Sequence, residues 1–211
     1  MIRAVLWDFG GVFSTSPFDA FSRYERQNGL PEGFIRKVNT LNPDDNAWAR
    51  LERGEIDIAA FDAAFEAESR ALGHPVPGSV VAGLLFGEIR PAMVEALRRC
   101  REHFHVACIT NNFGDLGPDV VSAERGAAWR DVLPLFAFVL ESSKVGVRKP
   151  EPAIYTMACE RLGVEPSEAV YLDDLGINLK PAKALGMTTI KVEDPVVAIR
   201  TLEQVTGLTL Q

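Results

Sequence analysis

Residues 4–13 read Ala-Val-Leu-Trp-Asp-Phe-Gly-Gly-Val-Phe, and the rest of the predicted fold is built around them. A short apolar run that ends in a Gly-Gly pair is typical of a buried parallel strand that breaks into a loop. Asp8 lies where this strand ends. Because ligands bind at the carboxyl ends of the strands in open α/β sheets, Asp8 is a candidate for chemistry. The other interpretation of this stretch alone is a turn aspartate that hydrogen-bonds its own loop.

The composition indicates a globular protein with one sizeable core, alone or with a modest insertion. The 211 residues are 47% hydrophobic and 24% charged, and the formal net charge is -7. Because the charge is negative and no Lys/Arg-rich run occurs, we expect neither a nucleic-acid partner nor an anionic membrane surface. An anionic substrate must therefore meet a local positive site.

The cysteines are three in number, and Cys108 lies in an apolar, strand-like run. A disulfide framework is therefore not expected, and Cys100, Cys108 and Cys159 are predicted to be reduced, buried thiols. The sequence shows neither a signal-peptide pattern nor an apolar run long enough to span a bilayer. We expect a cytoplasmic location.

Residues 15–88 have the apolar spacing of helices. Helices are predicted over residues 17–28, after Pro31, around Trp48 and over residues 57–72. Their aromatic residues are predicted to pack a core of their own. This segment reads as a small helical domain that interrupts the rest of the chain.

Residues 1–14 and 89–211 alternate helix and strand, which is typical of a parallel sheet with crossover helices. Residues 113–133 are less regular and predict a long loop around a short helix. We therefore predict an α/β protein with a Rossmann-like parallel sheet flanked by helices. Besides the first strand, strands are predicted over residues 105–110, 135–140, 169–172 and 188–192.

Polar residues follow four of the predicted strands: Asp8, Thr110, the loop with Lys149, and the pair Asp173 and Asp174. Right-handed crossovers bring these strand ends to one edge of the sheet. Three carboxylates brought close together stay ionised only with a divalent cation among them, and oxygen ligands favour Mg²⁺ over zinc. Lys149 and Thr110 suit the oxygens of a phosphoryl group. An aspartate beside them can act as a nucleophile that forms an aspartyl-phosphate.

The four motifs resemble, in order, those of the haloacid dehalogenase superfamily. They are the Asp8-Phe-Gly-Gly-Val loop, Ile-Thr110-Asn, Lys149-Pro and Leu-Asp173-Asp174. The resemblance covers essentially the whole chain and implies a core of residues 1–14 and 89–211, with residues 15–88 as a type 1 cap. The residues that flank the last three motifs are also similar to the phosphatase-like domains of soluble epoxide hydrolases and of related acyl-CoA dehydrogenase fusion proteins.

The resemblance implies a Mg²⁺-dependent phosphoric monoester hydrolase that acts on a small phosphorylated metabolite through an aspartyl-phosphate. Asp8 would be the nucleophile, Thr110 would hold the transferring phosphoryl oxygens, and Lys149 would neutralise the charge of the nucleophile and the phosphoryl group. The implied substrate-binding residues are Gly11, Asn111 and Asn112.

The same resemblance implies the magnesium ligands. Asp8 and Asp174 would bind the metal directly, Gly10 would offer its backbone carbonyl, and Asp173 would lie in the metal's first or second coordination shell. Asn178 follows Asp174 by one helical turn, so we expect it to orient that carboxylate.

Gly10 departs from the superfamily pattern, because most of its phosphatases have a second aspartate there as general acid and base. Loss of a general acid typically costs about 10²–10⁴ in rate for a poor leaving group. One interpretation is a leaving group that needs little protonation, such as the anomeric oxygen of a sugar 1-phosphate, a phenol or an acyl group. In the second, a residue of segment 15–88 supplies the proton; the candidates are Asp19, Asp45 and Glu52.

Other functions stay open at this point. The domain can bind phosphate compounds as a regulatory module with weak turnover, or pass the phosphoryl group to an acceptor other than water. It can also be a 2-haloacid dehalogenase, in which aspartate attacks carbon without a metal. Asp173 and Asp174 argue against the dehalogenase, because two more carboxylates without a cation would hinder an anionic substrate. Whether the chain is a monomer or a homodimer is undetermined from the sequence.

Overall fold

The computed structural model describes residues 1–111 and 123–210. Its sheet consists of five strands: β1 (Ala4–Trp7), β2 (His105–Thr110), β3 (Phe138–Glu141), β4 (Ala169–Asp173) and β5 (Thr188–Lys191). The helices of the first half are α1 (Pro17–Gln27), α2 (Phe34–Thr40), α3 (Ala47–Glu52), α4 (Ile58–Ala71), α5 (Gly78–Gly83) and α6 (Pro91–Cys100). Those of the second half are α7 (Ala123–Val132), α8 (Ser142–Val145), α9 (Pro152–Leu162), α10 (Gly176–Ala184) and α11 (Pro195–Thr206). Short 3₁₀ turns lie at Leu133–Leu135 and Pro166–Glu168.

The sheet is parallel, with the strand order β3-β2-β1-β4-β5. β1 is central and all four of its residues are buried, as expected for a strand covered on both faces. Trp7 pairs with Cys108 of β2 and with Leu172 of β4. The ends of these three neighbouring strands therefore meet, and the predicted α/β fold class is confirmed.

Hydrophobic clusters cover both faces of the sheet. On one face, side chains of β1 such as Trp7 pack with Leu97 of α6 and Leu202 of α11. On the other face, Leu6 packs with Tyr155 of α9 and Leu179 of α10. Successive side chains of β1 therefore point to opposite faces of the sheet. Because β1 ends at Trp7, the next residue, Asp8, lies at the carboxyl edge of the sheet.

Helices α1 to α5 lie within residues 15–88, which we call the helical insertion. They pack a third hydrophobic cluster that includes Phe21, Phe61 and Phe65, as the aromatic spacing predicts. The chain enters and leaves the insertion side by side. Ser14 forms an antiparallel bridge with Ile89, and Thr15 N donates to the carbonyl of Glu88 at 2.9 Å.

Three elements differ from the sequence prediction. One is the short helix α8, which lies in the segment before Lys149 that was predicted to be a loop. The strand predicted over residues 135–140 begins only at Phe138, because Leu135 is buried within a 3₁₀ turn, Leu133–Leu135, that does not pair in the sheet. Helix α5 was not predicted, since it has only six residues, begins and ends with glycine, and follows Pro77. The predicted helix within the irregular region 113–133 corresponds to α7, and residues 112–122 lie outside the described part of the chain.

The cysteine prediction is confirmed, since Cys100, Cys108 and Cys159 are free and buried. Burial raises the pKa of the Cys100 thiol to about 12 and that of Cys159 to about 11. Within residues 1–111 and 123–210, no helix has the length and apolar character that crossing a bilayer would require.

Candidate active site

Asp8, Lys149 and Asp173 form a buried ion cluster at the carboxyl edge of the sheet. Lys149 Nζ lies 2.6 Å from Asp8 Oδ1 and 2.9 Å from Asp173 Oδ2. Asp8 directly follows β1, where its amide continues the ladder by donating to the carbonyl of Leu172 at 2.8 Å. Lys149 reaches the same point from the loop after α8 and is 2% exposed. The topology thus brings together three residues that lie far apart in the sequence.

Asp173 is surrounded by hydrogen-bond donors. Besides Lys149, its carboxylate accepts from the amide of Leu175 at 2.8 Å, from Asn178 Nδ2 at 3.1 Å to each oxygen, and from the Tyr171 hydroxyl. The side chain is fully buried. Its lone pairs are therefore largely used by protein donors, which fixes the carboxylate against Lys149.

Asn178 contacts Asp173, whereas the sequence predicted that it orients Asp174. It lies in the first turn of α10, where helical side chains point back toward the N-terminus. That direction brings its amide to the carboxylate that ends β4. The predicted partner was wrong, because helical spacing alone does not say which of two adjacent aspartates faces the helix.

Asp174 lies against the loop that follows Asp8. Gly11 has φ +73°, and a Cβ built on it would lie 2.2 Å from Asp174 Oδ2. At Gly10, by contrast, an added Cβ would meet nothing within 4 Å. The Gly11 carbonyl accepts a hydrogen bond from Arg90 Nη1 at 2.7 Å, and its amide donates to Ser14 Oγ at 3.3 Å. Glycine at position 11 therefore permits the close approach of Asp174.

The predicted metal residues Asp8, Asp173 and Asp174 come together, since each offers an oxygen within 4.8 Å of the others. Gly10 lies on the same loop, two residues after Asp8. Burial raises the pKa of Asp8 to about 8; Lys149 opposes this shift, and the other two aspartates add to it. Burial, reinforced by Asp173, also raises the pKa of Asp174 to about 6. Keeping Asp8 and Asp174 ionised therefore costs folding free energy unless a cation balances their charge.

For Lys149, the neighbouring charges outweigh burial in setting the pKa. Burial lowers its pKa, but Asp173 and Asp8 raise it by more, so the net pKa lies above that of an ordinary lysine. The side chain therefore stays a cation over the whole range in which the neighbouring carboxyls titrate. It is a fixed positive charge beside Asp8 and can serve an anionic substrate there.

Thr110 ends β2, next to β1, and Asn111 follows it. Asn111 Oδ1 accepts from the amide of Lys149 at 2.8 Å, and its Nδ2 donates to the Lys149 carbonyl at 3.0 Å. Asn111 therefore fixes the backbone of the lysine that contacts Asp8. Thr110 is half-buried at the same edge and pairs with Glu141 of β3. Asn112 lies outside the described residues.

The three candidate proton donors occupy different environments. Asp19 and Asp45 are exposed, whereas Glu52 is buried at the end of α3. Asn111 Nδ2 donates to Glu52 Oε2 at 3.2 Å. Of the three candidates, Glu52 is thus the one whose described contacts reach the predicted site residues.

A family model for haloacid dehalogenase-like hydrolases matches residues 2–186 of this chain. The chain belongs to this hydrolase family. The resemblance inferred from the four motifs is therefore confirmed.

Relatives within the family include bifunctional epoxide hydrolase 2 of Sus scrofa, which is 33% identical over 99% of this chain and 40% of its own length. Acyl-CoA dehydrogenase family member 10 of Mus musculus is 37% identical over 99% of this chain and 19% of its own length. The chain thus spans less than half of each of these two proteins. A glyceraldehyde 3-phosphate phosphatase of Methanopyrus kandleri is 43% identical over 91% of this chain and 84% of its own length.

The fold also matches a solved structure of the family. A haloacid dehalogenase family enzyme of Bacteroides thetaiotaomicron, in complex with magnesium and inorganic phosphate, superposes with a TM-score of 0.61. It is 23% identical, and the match covers 92% of this chain and 97% of that one. At this identity the match supports the family fold.

Three site residues of this family member were not predicted from the sequence. Tyr171 lies two residues before Asp173, and the period of a strand puts both on one face, so it was within reach of a sequence argument. Arg148 adjoins Lys149 but gave no signal of its own. Arg90 contacts the Gly11 carbonyl from 79 residues away, a pairing that only the folded chain reveals.

Proposed function

We propose that this family member is a Mg²⁺-dependent phosphoric monoester hydrolase that acts on a small phosphorylated metabolite through an aspartyl-phosphate on Asp8. The observation that carries the proposal is the contact of Asp8 with Lys149 at 2.6 Å, beside two further carboxylates in one buried cluster. A fixed cation next to a carboxylate nucleophile suits attack on an anionic phosphorus centre. The phosphatase relative supports the same reaction class.

The residues present fit a magnesium ion. Hard oxygen donors from Asp8, Asp173 and Asp174 lie within 4.8 Å of one another, and Mg²⁺ prefers such ligands. We assign direct binding to Asp8, Asp174 and the Gly10 carbonyl, because the oxygens of Asp173 already accept from protein donors. When bound, the ion supplies positive charge that balances the carboxylates and the phosphoryl oxygens.

The protein's own residues carry the steps. An Asp8 oxygen attacks phosphorus while the bond from phosphorus to the substrate oxygen breaks, and the leaving oxygen takes up a proton from solvent water. Water then attacks the aspartyl-phosphate and releases inorganic phosphate and Asp8. Lys149 neutralises charge on Asp8 and on the transferring group, and Thr110 and Asn111 offer donors to its oxygens. Gly11 permits the close contact between the nucleophile loop and Asp174.

Gly10 supports a substrate with a leaving group that needs little protonation, such as a sugar 1-phosphate. Position 10 carries no side chain, and an added Cβ would meet nothing within 4 Å. We assign residues 15–88 as a cap that excludes water from the site and residues 1–14 and 89–211 as the catalytic core. The substrate's identity then depends on side chains of the insertion.

A phosphate-release screen tests the proposal. Sugar, aryl, acyl and alkyl phosphates are assayed with and without Mg²⁺, for the wild type and for Asp8→Asn. We expect turnover that requires both Mg²⁺ and Asp8. Asp57→Asn is the matched control, because Asp57 is an exposed N-cap of α4 and asparagine caps a helix equally well. Absence of Mg²⁺-dependent turnover, or halide release from 2-haloacids in EDTA, would overturn the proposal.

A further inference from the structure

The carboxylate of Glu52 lies inside the contact between the helical insertion and the loop that leads to Lys149. Its Oε2 is 2.8 Å from Arg148 Nε and 3.2 Å from Asn111 Nδ2, and its Oε1 accepts from Trp48 Nε1 at 2.9 Å. The Glu52 carbonyl accepts from Ser142 Oγ at 2.5 Å. The Glu52 side chain is 8% exposed and that of Arg148 is 17% exposed. A charged pair so shielded from water interacts more strongly than a surface pair.

Two further contacts hold the same surfaces together. Arg148 Nη1 donates to the carbonyl of Pro43 at 3.0 Å, so this guanidinium contacts the insertion at two separate points. Gly54 packs directly on α8, since an added Cβ would lie 2.4 Å from the Ser143 carbonyl oxygen. The insertion therefore meets residues 142–148 through an ion pair, two hydrogen bonds to backbone carbonyls and close backbone packing.

These contacts connect the insertion to Lys149 by two short routes. Arg148 is the residue before Lys149. Asn111 bonds to Glu52 and also to the amide and the carbonyl of Lys149. A shift of Glu52 would therefore be transmitted to the lysine whose Nζ contacts Asp8.

We propose that Glu52 is a positioning residue that holds Lys149 against Asp8 through Arg148 and Asn111, and that fixes the insertion over the site. We call Glu52, Arg148 and Asn111 the Glu52 cluster. The predicted effect on turnover rests on the proposed function, whereas the predicted effect on the structure does not.

A positioning role fits the geometry of Glu52 better than a proton-donor role. Arg148, Trp48 and Asn111 all offer positive or hydrogen-bearing nitrogens to its two oxygens. These three donors favour the ionised carboxylate, which accepts hydrogen bonds and has no proton to give. Burial does raise the pKa of Glu52, and Arg148 opposes that shift.

The kinetic test compares Glu52→Gln and Arg148→Met with the wild type on phosphate esters of graded leaving-group pKa. A misplaced Lys149 slows the chemical step for every ester, so we expect kcat to fall about 10–10²-fold by a similar factor across the series. If Glu52 instead donates the proton, Glu52→Gln should lower kcat mainly for esters with poor leaving groups. A steep dependence of the defect on leaving-group pKa would overturn the positioning role. Glu55→Gln removes an exposed carboxylate close by in the chain and is the control, with kcat unchanged.

The structural test is hydrogen exchange of the Lys149 amide, which donates to Asn111 Oδ1. We expect both variants to accelerate this exchange about tenfold or more, the effect of weakening one charged hydrogen-bond network. Amides of β4 should keep their protection, which shows that each variant is folded. Unchanged exchange at Lys149 in both folded variants would overturn the proposal. If wild-type protein hydrolyses no phosphate ester, the proposed function fails, and exchange alone decides the role of Glu52.

Discussion

Gly11→Ala is the substitution whose effect follows most directly from the structure. Position 11 has φ +73°, which costs an alanine about 1–2 kcal/mol relative to glycine. Its methyl group would lie 2.2 Å from Asp174 Oδ2, so the carboxylate or the loop must move. Forced repacking of this kind costs about 1–3 kcal/mol more. The expected loss is therefore about 2–5 kcal/mol of unfolding free energy.

Gly10→Ala is the matched control. An added methyl group there meets nothing within 4 Å, and the φ angle lies outside the left-handed region. Both alanines also reduce the entropy of the unfolded chain by a similar amount, worth about 0.4–1 kcal/mol, so this contribution cancels between the variants. The difference in unfolding free energy between the two variants therefore measures the steric and backbone cost of an alanine at position 11.

Thermal unfolding by circular dichroism, with and without Mg²⁺, measures this difference. For a chain of this size, about 2–5 kcal/mol corresponds to a melting temperature about 4–20 °C lower for Gly11→Ala than for Gly10→Ala. Because Asp174 is displaced, the Mg²⁺-induced rise in melting temperature should also shrink in Gly11→Ala and persist in Gly10→Ala. Equal melting temperatures for the two variants would refute the steric argument.

Three more predictions follow from the same cluster. Lys149→Met leaves the buried carboxylates of Asp8 and Asp173 without their cation and should cost about 3–5 kcal/mol in urea unfolding; a loss below about 1 kcal/mol would contradict the buried pairing. The pKa values of Asp8 and Asp174, about 8 and about 6, are raised from 3.8, so the folded protein binds more protons than the unfolded chain. Without Mg²⁺ the melting temperature should therefore fall as pH rises from about 4 to about 8, and added Mg²⁺ should restore more of it at the upper end; a rise across this range without Mg²⁺ would argue against these shifts. Gly10→Asp should raise kcat/KM for alkyl phosphates by about 10²-fold and leave aryl phosphates nearly unchanged, which a leaving-group series measures; an equal change for both classes would speak against general-acid catalysis at this position.

The fold was predictable where burial and period agree. β1 is apolar throughout and is soon followed by the Gly10-Gly11 pair, so its place at the centre of a parallel sheet follows from local sequence. β3 was placed three residues too early, because buried Leu135 and Phe136 look the same in sequence whether they pair in a strand or pack beneath a turn. A run of apolar residues reports burial, and burial alone does not determine hydrogen bonding.

The site was predictable to the extent that topology determines it. Asp8 and Asp173 had to meet because they end neighbouring parallel strands. Which aspartate Asn178 would contact depended on the direction of one helical side chain. The contact between Glu52 and Arg148 depends on how the insertion packs on the core. These residues are 96 positions apart, and the sequence pattern does not predict that they meet.

The charges of the site explain why its parts depend on one another. Three carboxylates and one lysine leave two uncompensated negative charges when all are ionised, and a single divalent cation balances them. Without that balance, a phosphoryl dianion would approach a cluster of its own sign, and Coulomb repulsion at this depth is costly. Asp173 contacts Lys149 directly. If Asp174 binds the cation, as proposed, the two adjacent aspartates have different roles. Substrate affinity should therefore depend on the cation as strongly as turnover does.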